Sequence, residues 1–271
     1  MTTFTSPRDG SRRESAEAQV TPDEPVKSDA AQVRRAAPLR VALIALASDH
    51  AIRGELGLLF GRRAELHLAR VSAPDKYDLD SLAATTQGIG RAIKWMGLAN
   101  QVDVAAYGCT SATVVVGEEA VKQSLAAALP GVPGTTPITA ALAALAHLKA
   151  RRIALLTPYP EPIHRAVVDY MKAKGLGITD EAGLGIAVDR EITEFPADEL
   201  RRRILGLNRR EADAIFVSCT SLRIAGGIEG LEAEAGLPVV TSNQALAWHC
   251  LQLAGPPANL PGFGRLLAAG S

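Results

Sequence analysis

Short aliphatic runs alternate with stretches of helical spacing along most of the chain. LRVALIALA at 39–47, with its clean apolar run Val41–Ala47, predicts a buried strand. A helix is predicted near 53–61, a strand at 64–71, a helix over 78–98 from its spaced Leu, Ile and Met, and a strand at 102–108. Helices at about 111–128 and 138–149 follow, then a strand at 151–159 and a helix at 161–174. The remaining elements are strands near 181–188, 213–218 and 238–241, with helices near 197–208, 222–235 and 242–253. Apolar strands that alternate with helices indicate a parallel sheet covered on both faces. Residues 1–38 differ: they are rich in charge, Ser, Thr and Pro, lack apolar periodicity, and predict a disordered tail.

The pattern also repeats. Arg40-Val-Ala-Leu-Ile-Ala resembles Arg152-Ile-Ala-Leu-Leu-Thr, and Val102-Asp-Val-Ala-Ala-Tyr-Gly-Cys-Thr-Ser resembles Ala212-Asp-Ala-Ile-Phe-Val-Ser-Cys-Thr-Ser. A third block, from Val132-Pro-Gly, resembles Leu237-Pro-Val-Val-Thr-Ser-Asn-Gln-Ala. The offsets are 112, 110 and 105 residues, and the blocks keep one order, which indicates a duplication. The expected fold is α/β: two pseudo-symmetric doubly wound domains with mainly parallel four-stranded sheets and an active site in the cleft between them. Residues 39–136 plus 243–271 are assigned to an N-terminal lobe and 137–242 to a C-terminal lobe. Ligands in open α/β sheets bind beyond the carboxyl ends of strands, where both Cys-Thr-Ser triplets fall.

Composition narrows the partners. The chain has 271 residues, 47% of them hydrophobic, enough for a sizeable core. Lys+Arg and Asp+Glu both number 29, so no net charge provides an electrostatic footprint for nucleic acid or an anionic membrane. No apolar run is long enough to span a bilayer, and residues 1–30 lack the apolar core of a signal peptide. Three cysteines are no disulfide framework, and a reducing cytoplasm is the simplest compartment. The expected partners are a small molecule and another copy of the chain.

Cys109 and Cys219 carry the chemistry. Each follows an apolar strand and is expected to precede a helix, whose N-terminal amides favour the thiolate, with pKa values of ~3.5–7.5 against ~8.5 for free Cys. Thr110, Ser111, Thr220 and Ser221 add hydroxyls that, with free N–H groups, make a nest for a carboxylate. Ser48-Asp49-His50 and Thr157-Pro158-Tyr159 follow the first strand of each half and are expected at the cleft rim, while Thr241-Ser242-Asn243-Gln244 opens the last helix. Cys250 lies in a helical apolar pattern and reads as core. The five histidines show no metal-ligand spacing, and no nucleotide-binding glycine motif or GxSxG elbow is present, leaving side-chain chemistry without metal or cofactor. Two opposed thiols suit proton transfer at a carbon α to a carboxylate, one thiolate removing a proton and the opposite thiol delivering another. Covalent addition of a thiolate to an activated C=C bond is the alternative chemistry, and a non-catalytic ligand-binding protein on the same scaffold is a third reading.

These segments resemble the aspartate/glutamate racemase superfamily, in the branch of maleate cis–trans isomerases, arylmalonate decarboxylases and the racemase-like proteins of ectoine utilisation. The resemblance rests on Tyr107-Gly-Cys-Thr-Ser-Ala, Leu156-Thr-Pro-Tyr159, Phe216-Val-Ser-Cys-Thr-Ser221 and Pro238-Val-Val-Thr-Ser-Asn-Gln-Ala245, and covers about 39–256. It implies a cofactor-independent, usually dimeric enzyme acting on a small carboxylate, with Cys109 and Cys219 as the catalytic pair. It implies carboxylate binding by Thr110, Ser111 and Thr220, and substrate contact by Tyr159 and Asn243. Decarboxylases of this branch keep only the second cysteine, so Cys109 argues against pure decarboxylation. Maleate isomerases usually offer an asparagine in the first-strand loop; here Asp49 would repel a second carboxylate and accept an ammonium or amide. The expectation is therefore a racemase or isomerase of an amino-acid-like carboxylate, with a place in ectoine catabolism implied by the resemblance.

Overall fold

The computed structural model describes residues 1–3, 38–98, 101–254 and 259–268. Of the disordered tail expected over residues 1–38, positions 4–37 lie outside that set. All elements below lie in the compact unit Pro38–Ser271. The first sheet is built from β1 (Leu39–Leu46), β2 (Ala64–Val71), β3 (Val104–Gly108) and β4 (Gly134–Thr135). The second contains β5 (Arg152–Thr157), β6 (Gly177–Gly183), β7 (Ala214–Val217) and β8 (Val239–Thr241). Their orders, β2-β1-β3-β4 and β6-β5-β7-β8, are the same, and every pairing is parallel. The duplication seen in the sequence is thus a duplication of topology.

A polar detail repeats as well. At the start of β1 the Arg40 N–H donates to Asp103 Oδ2 at 2.9 Å and its guanidinium meets Oδ1 at 3.0 Å. At the start of β5 the Arg152 N–H donates to Asp213 Oδ2 at 2.8 Å and its guanidinium meets Oδ1 at 3.3 Å. Each arginine ties the first strand of its half to the residue just before the third, which sets their register. Ala45 lies beside Gly108 and Leu156 beside Val217, so the loops leaving these strand pairs emerge together.

The helices are α1 (Ile52–Phe60), α2 (Leu79–Thr85), α3 (Ile89–Met96), α4 (Thr110–Val116), α5 (Glu118–Ala128) and α6 (Pro137–His147) in the first part. They continue with α7 (Glu161–Ala173), α8 (Asp189–Thr193), α9 (Ala197–Gly206), α10 (Ile228–Ala235) and α11 (Ser242–Ala254). Helix α11 packs against α6 and α1.

Several predicted elements break where backbone chemistry overrides periodicity. The single helix expected over 78–98 is two helices joined by a 3₁₀ turn at Thr86–Gly88, where the Thr86 hydroxyl bonds back to the Ala83 carbonyl. The helix expected over 111–128 breaks at Gly117, whose φ of +93° and ψ of 142° are open to glycine alone without strain. The strand expected at 181–188 is β6, which ends at Gly183, and the helix expected from 222 starts at Ile228 after a 3₁₀ turn at Ala225–Gly227. Strand β4 and helix α8 are too short for their patterns to show.

Glu118 at the start of α5 joins helices of both halves. It accepts from Thr139 on α6 at 2.5 Å, from the Tyr170 hydroxyl on α7, and from Lys174 at 2.8 Å. Burial opposes its ionisation, but Lys174, Thr139 and Tyr170 together outweigh that and hold the carboxyl at about 2, against an ordinary value of 4.5. Because the folded value is depressed, the stabilisation is complete above pH 4.5 and is lost as pH falls toward 2. Glu118→Gln should therefore lower the unfolding free energy by about 3 kcal/mol at neutral pH. The urea midpoints of the two proteins should converge on acidification; a gap unchanged down to pH 2 would show that the network does not act through ionised Glu118.

Candidate active site

Cys109 caps α4 in extended conformation directly after β3. Its carbonyl accepts from the Thr113 hydroxyl at 2.7 Å, and its sulfur lies 3.7 Å from the Ser111 hydroxyl. Gly108 before it lies close against α1: a Cβ there would sit 2.4 Å from Ile52 Cδ1 and force that side chain to move. The first turn of α1 therefore packs onto the end of β3 and brings the β1 loop beside Cys109.

Cys219 is placed differently. It follows β7 and Ser218, but no helix starts there; the next helical turn begins at Ala225. This corrects the expectation that both triplets open helices. Cys219 instead has a φ of +129°, a conformation that costs a residue with a Cβ and persists only where its surroundings hold it. Those surroundings are visible: the Cys219 N–H donates to Ser242 Oγ at 3.0 Å, and the Ser221 N–H donates to the Cys219 sulfur at 3.3 Å.

Hydrogen bonds lace the two triplets together. The Thr220 hydroxyl donates to the Gly108 carbonyl at 3.2 Å, and the Thr110 hydroxyl donates to Ser242 Oγ at 3.0 Å. Asn243 holds the Thr220 carbonyl at 2.8 Å. Both threonine hydroxyls thus tie one half to the other rather than facing an open nest. Tyr159, buried after β5, has its hydroxyl within hydrogen-bonding reach of Cys219. Thr110, Ser111, Tyr159, Thr220, Ser221 and Asn243 are all buried around the two thiols.

Asp49 is 1% exposed. Its Oδ1 accepts from the Ala51 and Ile52 N–H groups, both at 2.9 Å, so it caps the start of α1. Desolvation, then the charge of Asp189, push its carboxyl up to about 6 against hydrogen bonds that favour ionisation. His50 beside it is exposed, and Thr157 bonds the buried His164 at 2.9 Å. Cys250 is buried on α11.

Three further residues reach this region without having been expected. Asp189, 5% exposed at the start of α8, accepts from Ser48 Oγ at 2.7 Å. Tyr77 places its hydroxyl 3.0 Å from Ser48 Oγ. Glu55 on α1 accepts from the Ile224 and Ala225 N–H groups at 3.0 and 2.8 Å, bracing the segment that leaves Cys219. Asp189 lies beyond the carboxyl end of edge strand β6 and directly after the strand predicted at 181–188, so the strand-end rule applied to that strand flags it.

The electrostatics overturn one expectation. Burial pushes the Cys109 thiol up to about 12, outweighing the Ala112 N–H and the Ser111 hydroxyl, and the charges of Asp189 and Asp49 add to the rise. Burial and Asp189 likewise raise Cys219, against the Ser221 N–H. Helix amides do not produce resting thiolates here, because desolvation and two carboxylates outweigh them.

Comparison with known proteins agrees with this architecture. Residues 102–267 match the family model described as arylmalonate decarboxylase. A maleate isomerase of Nocardia farcinica is 32% identical over 173 residues, covering 61% of this chain and 69% of the relative. An arylmalonate decarboxylase of Bordetella bronchiseptica is 34% identical over 141 residues, covering 50% and 58%. Among solved structures, a cysteine-to-serine mutant of Nocardia farcinica maleate cis–trans isomerase with a covalently bound succinylcysteine intermediate superimposes with a TM-score of 0.80 at 27% identity, over 86% of this chain and 99% of that one. The maleate isomerase of Pseudomonas putida S16 gives a TM-score of 0.79 at 25% identity, over 85% and 98%. Fold and relatives together define an α/β enzyme of isomerase type. The chain belongs to the arylmalonate decarboxylase family. Among the described residues no helix is long and apolar enough to cross a membrane.

Proposed function

We propose that this protein is a cofactor-independent racemase or isomerase of a small amino-acid-like carboxylate, with Cys109 and Cys219 as opposed acid and base. The observation that supports this reading is the lacing of the two Cys-Thr-Ser segments, Thr220 to Gly108 and Thr110 through Ser242 to Cys219, which brings the two buried cysteine segments together. One thiolate takes the Cα proton, so the C–H bond breaks, an S–H bond forms and the electron pair stays on the carbon. The opposite thiol then protonates the other face, and its own thiolate is left for the reverse reaction. Backbone amides of the two Cys-Thr-Ser segments and the Ser111 and Ser221 hydroxyls hold the carboxylate whose enolate carries the charge, while Thr110 and Thr220 brace the two segments. Tyr159 donates toward Cys219 and Asn243 fixes the Thr220 carbonyl.

The test is exchange. Recovered amino-acid substrate from incubation in deuterium oxide should carry solvent deuterium at Cα; a panel of small amino carboxylates with no exchange at all would remove the reading. A second reading is favoured by the succinylcysteine carried by the Nocardia relative: addition of a thiolate to maleate, rotation about the new single bond and elimination. It predicts a maleate adduct by mass spectrometry in a single-cysteine variant, and fumarate from the wild type. Retention of Cys109 favours either reading over decarboxylation, since a second proton donor would racemise a decarboxylated product. A homodimer and a role near ectoine breakdown follow from the same resemblance and are checked by sedimentation and by assay with ectoine-derived amino acids.

A further inference from the structure

Two carboxylates, one from each half, meet at the thiols. Ser48, adjacent to Asp49, donates its hydroxyl to Asp189 Oδ2 at 2.7 Å and lies 3.0 Å from the Tyr77 hydroxyl. The Tyr77 N–H donates to the Ala187 carbonyl at 3.0 Å, which fixes the α8 segment against the first half. Both acids are buried, Asp49 at 1% and Asp189 at 5% exposure. Its contact with Ser48 brings the charge of Asp189 near enough to raise Asp49, Tyr77, Cys109 and Cys219 alike.

An independent feature points to a missing donor. Asp49 Oδ1 is satisfied by two backbone amides, but its buried Oδ2 makes no hydrogen bond, and the one side-chain donor within reach of the carboxyl is the Thr220 hydroxyl. The nearby Thr220 hydroxyl donates to the Gly108 carbonyl instead. A buried carboxylate oxygen with no donor is costly and calls for an explanation. Two buried carboxylates at one site also repel each other, and a dicarboxylate ligand would add a third negative group. An ammonium would supply the absent N–H and relieve the repulsion.

We propose that Asp49 and Asp189 form a subsite for the ammonium group of the substrate, which makes aminocarboxylates, rather than dicarboxylates, the class this enzyme takes. The inference rests on the proposed function only in seating the substrate beside the thiols. It also explains how a thiolate arises in a site that raises both thiols: the bound cation offsets the two charges that oppose ionisation, so the base is generated when the right ligand is present.

Calorimetric titration with three matched pairs tests this: alanine and propionate, 2-aminobutyrate and butyrate, aspartate and succinate. The wild type should bind at least one amino member about tenfold more tightly than its desamino partner. Asp189→Asn, which keeps the acceptor for Ser48, should abolish that preference, and Asp49→Asn, which keeps the α1 cap, should do the same. Cys109→Ser should leave it intact. Equal or tighter binding of the desamino members, no binding of any amino member, or a preference unchanged in both Asn variants would overturn the subsite. An ammonium preference without deuterium exchange would sink the acid–base reading alone, and exchange without the preference would sink the subsite alone.

Discussion

Serine in place of either Cys109 or Cys219 is expected to slow inversion of the substrate by about 10³-fold, and the double variant should be little worse than either single one. Proton transfer by a positioned group contributes about 10²–10⁴-fold. The two transfers act in series on one carbanion, so losing either removes the same process and the penalties do not add. Chiral chromatography of the product stream measures this directly. Penalties that multiply in the double variant would mean that the cysteines act independently, which contradicts a paired acid and base. The pH profile provides a second check. With Cys109 pushed up to about 12, the free enzyme holds little thiolate near neutrality. The kcat/KM should therefore climb with pH through the neutral range; a plateau reached by pH 6 would show a depressed thiol and refute the electrostatic picture.

Glu55→Ala should cost about 2–6 kcal/mol of stability, from about 1–3 kcal/mol for each of the two buried amides it leaves without an acceptor. Both amides, at Ile224 and Ala225, belong to the segment leaving Cys219, and Glu55 itself is 6% exposed. Glu55→Gln retains a side-chain carbonyl at the same place and should lose much less. Burial raises the Glu55 pKa despite those amides and Arg223. A raised folded value means that stability is greatest while the group is protonated and declines as pH climbs from the ordinary 4.5 through the folded value. The wild type should show that decline and Glu55→Gln should not; urea unfolding across pH 4–8 separates them. Equal stability of the alanine variant and the wild type would show that water replaces the carboxylate.

The fold was legible because its signals are local and repeated. After Arg40 and Arg152, the stretches VALIAL and IALL are apolar without interruption, as strands buried on both faces must be, and their recurrence with the Cys-Thr-Ser triplets exposed the duplication. Breaks inside helices were not legible, because Gly117 and the Thr86–Gly88 turn interrupt backbone geometry without disturbing the apolar spacing. The thiols were legible as a pair, but their ionisation was not. A sequence shows a cysteine after a strand; it does not show how much water is excluded from it or which charges arrive from elsewhere.

Asp189 and Glu55 make the same point from the other side. Asp189 opens the short helix α8, and it reaches Ser48 across 141 positions of chain. Glu55 looks like one acidic residue in an amphipathic helix until Ile224 and Ala225 come to meet it from 169 and 170 residues away. By itself the sequence determined the α/β class, the twofold repeat and the two cysteines, since each follows from short-range pattern. Only the tertiary structure decided which acids stand beside those cysteines, and that Cys219 is held at positive φ rather than at a helix start. Burial and charge depend on what the rest of the chain brings within a few ångströms, and no local pattern encodes that.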